Sequence, residues 1–210
     1  MVQGDGPVVT RTDVVTPAGT AWVDLDRPRG AVRALLVLGH GAGGGVESAD
    51  LLAVRAAALA AGVAVARVTQ PYRVAGRRAP APTARLDEAW LAVVSSVRRR
   101  RGLGGVPLFV GGRSSGARVA CRTADMAGAV GVVALAFPLH PPGKPEKSRL
   151  EELVQPVVPV LVVQGDRDAF GMPPADSVDT LVVIAGADHG LKKDTAHIGS
   201  VVVEFVQRLI

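Results

Sequence analysis

Several things are scarce in this chain, and each shortage excludes something. Among 210 residues there is one cysteine, so an internal disulfide and a cysteine-cluster metal site are ruled out. A lone cysteine fits a reducing compartment, and a cytoplasmic location is expected. Aromatic residues make up only 3%, too few for a platform on which nucleic-acid bases stack. The formal net charge is +5, but the arginines are dispersed along the chain, so no nucleic-acid partner is expected. The one dense basic run, residues 98–101, follows an amphipathic helical pattern and precedes Gly102. It reads as the solvated end of a helix whose dipole it complements. No apolar run approaches the ~18 residues of a membrane span, because Arg, Asp, Gly or Pro interrupts each candidate. No membrane partner is expected, and the opening residues 1–6 show neither the basic patch nor the apolar stretch of a signal peptide.

Apolar residues, at 48% against 20% charged, are plentiful enough for a sizeable core, and the length suits one domain over residues 1–210. Segments 8–16 and 21–26 are extended and β-branched around Pro17-Ala18-Gly19, which predicts an antiparallel hairpin. Beyond it, short apolar runs alternate with helical patterns. Strands are expected at 34–38, 63–68, 108–110, 130–137, 160–164 and 181–184. Helices are expected at 50–61, 86–101, 117–127, around 150–154 and at 198–210. A Pro/Arg-rich connector covers 70–83. Strands apolar throughout, alternating with helices, imply a mostly parallel sheet covered on both faces, an α/β fold.

In such sheets ligands bind beyond the carboxyl ends of the strands. Four loops of unusual content leave those ends: the glycine-rich 39–45, then 112–116, 165–170 and 185–190. Gly112-Arg113-Ser114-Ser115-Gly116 matches G-x-S-x-G between a strand and a helix, where a nucleophile elbow belongs. Side chains two residues before or after such a nucleophile would collide with neighbouring backbone. The bland alternative is that Ser114 or Ser115 merely caps the helix. A phosphate-binding loop would need a following Lys-Ser/Thr, which is missing.

A serine nucleophile needs a base and the base an orienting acid. His140, His189 and His197 follow Ser114. Only His189 sits directly past the last strand, in a loop with Gly186 and Gly190, whereas His140 and His197 read as surface residues. Asp168 lies past the turn after the preceding strand and can reach His189. Asp166 is nearer the strand and suited to bonding its own loop, and Asp188 adjoins the base and cannot easily face it. The oxyanion-hole donors are expected to be the backbone N–H groups of Ser115 and of Ala42, with Gly43 as the alternative to Ala42. His40, before Gly41, is expected to pack under its loop and fix the backbone. Cys121, inside the helix after the elbow, reads as packing.

Taken in order, Gly39-His40-Gly41-Ala42-Gly43-Gly44, Gly112-Arg113-Ser114-Ser115-Gly116, Gln164-Gly165-Asp166-Arg167-Asp168 and Asp188-His189-Gly190 resemble the α/β-hydrolase superfamily. The nearest likeness is to small, lidless dienelactone-hydrolase-like proteins. The chain is also similar to the hydrolase-like domain of the non-specific-lethal complex subunit 3 family, where the fold serves assembly. Dienelactone hydrolases themselves carry cysteine at the elbow, where this chain has Ser114.

The resemblance implies an α/β-hydrolase fold without a large lid. It also implies a serine hydrolase that takes a small acyl substrate (an ester, thioester or lactone) and needs no metal or organic cofactor. The rival is a catalytically silent interaction module on the same fold. The interval between the strands ending near Phe137 and beginning near Val160 holds six prolines, with room for one short helix and no helical cap. Arg113 beside the nucleophile, with Arg73 and Lys144 on the rim of the site, is expected to favour an anionic leaving group or acid moiety.

Overall fold

The computed structural model describes residues 10–210. Val8 and Val9 of the expected first strand, and the start of the chain at residues 1–6, lie outside the described residues. Eight strands form one sheet in the order β1-β2-β4-β3-β5-β6-β7-β8. They are β1 Thr10–Thr16, β2 Gly19–Asp26, β3 Ala34–Gly39, β4 Val63–Thr69, β5 Leu108–Arg113, β6 Gly131–Leu135, β7 Val160–Gly165 and β8 Thr180–Ile184. The β1–β2 and β2–β4 pairs are antiparallel, and β3 to β8 run parallel.

Among the described residues six α-helices accompany the sheet: α1 Ala49–Ala60, α2 Pro71–Val74, α3 Thr83–Arg98, α4 Ser115–Ala127, α5 Leu150–Leu153 and α6 Thr195–Arg208. Alternation along β3 shows why the strands are apolar throughout. Leu35 and Val37 enter the core shared with α3 and α4, whereas Ala34, Leu36 and Leu38 enter the core shared with α1 and α6. All five are fully buried, and each large aliphatic side chain so buried contributes about 1.5–3 kcal/mol.

The structure moves some boundaries. The hairpin turn is only Pro17-Ala18, and β2 starts at Gly19. The Thr16 hydroxyl closes this turn by donating to Gly19 O and accepting from Ala18 N. α3 starts three residues before the expected Leu86 and stops at Arg98, so most of the arginine run lies beyond the helix. These arginines are more than a solvated helix end. Arg98 donates to Gly104 O and Arg100 to Thr12 Oγ1, while the carbonyl of Arg101 accepts from Arg27. β8 is an edge strand in which only Ile184 is buried, in contrast to the expected fully buried strand. The connector after β4 contains the short α2.

Between β6 and β7 the sole helix is the four-residue α5, and among the described residues no lid covers the sheet edge. Glu152 docks α5 on α4 by ion pairs to Arg118 and Arg122, and Arg122 also holds Asp87 of α3. Burial pushes the Glu152 carboxyl up, but the two guanidiniums outweigh it and hold it below the ordinary value. No helix among the described residues is long and apolar enough to cross a membrane.

Candidate active site

Ser114 follows β5 and precedes α4 in a left-handed backbone conformation, φ 52°, which an L-residue adopts only under external constraint. Two glycines make the turn sterically feasible. A Cβ on Gly112 would lie 2.5 Å from Gly39 O, and one on Gly116 2.5 Å from Gly39 C, so the strand, the turn and the helix pack backbone to backbone. The Ser114 N–H donates to Leu135 O of β6, and its carbonyl accepts from Arg118 N. Because the peptide is planar and trans, the Ser115 N–H points opposite to that carbonyl, out of the start of α4. First-turn N–H groups have no intrahelical acceptor there.

The glycine loop after β3 lies against this turn, for a Cβ on Gly41 would be 3.6 Å from Ser114 Cβ. His40 is buried and fixes the loop as expected. Its Nδ1–H donates to Gly41 O at 2.8 Å, and its Nε2 accepts from Gln70 N at 3.1 Å. Both contacts require the neutral Nδ1–H tautomer, and burial pulls its pKa below the ordinary value. Gly41 O also accepts from Gly44 N. That peptide is therefore held, and by planarity the Ala42 N–H points away from the His40 ring. The Tyr72 hydroxyl, pushed up to about 12 by burial, donates to Ala42 O at 2.7 Å. The far end of the loop is held by Arg67, which donates to Val46 O and Glu47 and faces the fully buried Asp26.

His189 lies between Ala187 and Leu191, both buried in the core under α1 and α6, so the loop is anchored on either side of the ring. Its Nδ1 is 2.8 Å from Asp168 Oδ2 and its Nε2 2.9 Å from Ser114 Oγ. A carboxylate only accepts, so Nδ1 carries the proton and Nε2 accepts from the serine hydroxyl. The Phe170 ring packs on the imidazole, centroids 4.1 Å apart.

The side chain of Asp168 is fully buried. Its Oδ1 accepts from Phe170 N and its Oδ2 from Gln164 Nε2. The same Nε2 of Gln164, buried near the end of β7, lies 2.8 Å from Gly171 O and 3.2 Å from Phe137 O, so its two hydrogens are shared among three acceptors. Asp166 is exposed, and the Asp188 side chain accepts from Gly190 N within its own loop. His197 is exposed on α6. His140 is half-buried rather than on the surface, with Nδ1 beside Pro141 O. Cys121 is fully buried, its thiol pushed up to about 12 by that burial.

Arg113 is beside the nucleophile as expected, but its charge is taken up within the protein. Its side chain folds inward, with Nε 3.1 Å from the buried Asp50 and Nη2 2.5 Å from His189 O. The sequence does not single out Gln164, Tyr72 or Phe170 as site residues, and it marks Arg113 only as a charge beside the nucleophile. For Gln164 a signal existed, a polar residue closing the apolar run 160–163.

A cavity of about 410 Å³ opens at the same sheet edge, walled by Ala18, Gly19, Gln70, Tyr72, Arg85 and Leu86 among others. Ser114, Asp168 and His189 are not in its lining. Among the described residues there is no group of three or more His, Cys, Asp or Glu placed to hold a metal ion.

Solved structures share this architecture. An alpha-beta serine hydrolase homologue from Coxiella burnetii is 19% identical, with a TM-score of 0.74 over 98% of this chain and 99% of that one. A lidless a/b serine hydrolase from Xanthomonas campestris is 21% identical, TM-score 0.74, covering 95% and 94%. Dienelactone hydrolase from Anabaena variabilis is 17% identical, TM-score 0.77, covering 97% and 99%. At such identities the likeness is one of fold. No curated protein matches the chain significantly in sequence. The family model of the alpha/beta hydrolase domain matches residues 32–201, which contain Ser114, Asp168 and His189 with the loops around them, and the chain belongs to that family.

Proposed function

We propose that the protein is a serine hydrolase cleaving a small ester, thioester or lactone through an acyl-enzyme. The observation that carries this reading is the continuous hydrogen-bond chain from Ser114 Oγ through His189 to Asp168. Ser114 attacks the acyl carbonyl while His189 Nε2 takes its proton. Asp168 keeps the Nδ1–H tautomer and stabilises the imidazolium. The Ser115 and Ala42 N–H groups receive the developing oxyanion. His189 then protonates the leaving group, and water, deprotonated by His189, releases the acid and restores Ser114. No cofactor enters this scheme. We further take the whole chain as one domain acting in the cytoplasm on a small molecule, without a nucleic-acid or membrane partner.

The short interval between β6 and β7 supports a site open to water and suited to small acyl groups. We therefore expect hydrolysis of short-chain aryl esters with no activation at a lipid interface. Measuring kcat/KM for a series of aryl esters from acetyl to palmitoyl tests this. A maximum at short chains is the predicted result, and a maximum at twelve carbons or more would contradict it.

A further inference from the structure

The structure assigns to Arg113, the residue before the proposed nucleophile, the role of a positioning residue that ties the His189 loop to the start of α1. This inference rests on the serine-hydrolase reading above. One guanidinium joins two separate parts of the chain and passes close behind a third. Nη2 donates to the backbone carbonyl of His189 itself, and Nε lies 3.1 Å from Asp50 Oδ2 at the start of α1. A Cβ placed on Gly41 would stand 3.1 Å from Nη1, so the third corner of the fork lies directly behind the loop that carries Ala42. Asp50 is fully buried and Arg113 nearly so, at 0% and 17% side-chain exposure. The Asp50 Oδ1 is fixed in turn by Leu51 N.

A buried charge pair of this kind is weak evidence for added stability. Its Nε–Oδ2 contact is an ion pair without hydrogen-bond alignment, so the directional bond is the one from Nη2 to the His189 carbonyl. His189 otherwise hangs on a loop between two residues buried in the core, Ala187 and Leu191, the latter at φ 44°. Neither of those contacts touches its own peptide. Arg113 does, and it springs from the backbone adjacent to Ser114. Arg113 therefore links the backbone beside the nucleophile directly to the peptide of the base, in addition to the hold that Asp168 and Phe170 have on its ring.

The test is Arg113→Lys, measured for kcat, KM and melting temperature, together with the deshielded proton resonance of the His189 Nδ1–H shared with Asp168. Lysine retains a charge for Asp50 but, as a point donor, cannot meet Asp50 and the His189 carbonyl with the same fixed spacing. We expect melting close to that of the parent protein, KM changed little, kcat lowered by about 10- to 100-fold, and the Nδ1–H resonance broadened or lost. The paired change Asp50→Asn/Arg113→Met removes both buried charges together, so neither is stranded, and it must show the same loss of kcat. Parent-like kcat and resonance in either folded variant would overturn the assignment and leave Arg113 a structural ion pair. Failure of the serine-hydrolase reading itself shows separately, as absence of turnover and of Ser114 modification in the parent protein.

Discussion

The side-chain amide of Gln164 donates to the same Asp168 oxygen that faces the His189 ring, at 2.9 Å against 2.8 Å. The carboxylate thus has its direction set from the strand before the turn begins, and the amide is itself held by the carbonyls of Gly171 and Phe137. Gln164→Met keeps the volume but removes these donors. A hydrogen bond to a charged group contributes about 1.5–3 kcal/mol, so a loss of kcat of about 10- to 100-fold is expected where Asp168 loses its orientation. Steady-state kinetics beside a melting curve check this. Unchanged kcat with lowered melting would reduce Gln164 to a packing residue.

The two aspartates of the β7 turn should behave differently. Asp168→Asn should lower kcat by about 10⁴-fold, because an amide can present a donor to Nδ1 and favour the wrong tautomer. Asp166 is exposed, so Asp166→Asn should change stability by no more than about 0.5 kcal/mol and leave kcat alone. The stabilising backbone contacts that its position near the strand suggests are not made by its side chain. Comparable losses of kcat in both variants would undo the assignment of the acid.

Tyr72→Phe removes only the hydroxyl that holds Ala42 O. If Ala42 N–H is an oxyanion donor, a looser loop lowers kcat, by roughly threefold to tenfold for a bond of about 1 kcal/mol, with KM little changed. Equal kcat in parent and variant would place the second donor elsewhere, with Gly43 the neighbour to probe.

His40 supplies a pH dependence of stability. Burial lowers its pKa in the folded protein, the Gly41 carbonyl opposes that, and Arg73 adds to it. The unfolded chain therefore binds the proton first. The neutral ring's contribution is whole above the ordinary 6.5 and is lost as pH falls from there toward the lower folded value. Denaturant unfolding of the parent and of His40→Gln between about pH 7.5 and pH 5 measures this. The parent should lose stability more steeply with acid than the variant, and parallel slopes would contradict the neutral, buried ring.

Much of this arrangement is legible in the sequence where a local rule forces it. Gly112 and Gly116 flank Ser114 at the fixed spacing of the elbow, so the motif is readable locally even though the backbone that crowds both belongs to the distant Gly39. The apolar runs of β3 and β7 report burial on two faces directly. The long-range partners are a different matter. The inward turn of Arg113 depends on Asp50 and on the carbonyl of His189, neither near it in the chain, and an arginine beside a site looks the same in sequence whether it faces water or the interior. Strand order is hidden in the same way. The run 181–184 is as apolar as its neighbours, but β8 closes the edge of the sheet and leaves Val183 half exposed. The end of α3 was misplaced because the arginine run suits a helix by propensity, while its side chains find partners across the turn.

The central claim is that Ser114 is a nucleophile activated by His189. The most direct measurement is reaction of the folded protein with a fluorophosphonate, followed by mass spectrometry of its peptides. The account predicts one adduct, on Ser114, formed in the parent and in Ser115→Ala but absent from Ser114→Ala, and formed far more slowly in His189→Ala. An unmodified Ser114 in folded protein, or an adduct on Ser115 that survives Ser114→Ala, would contradict it.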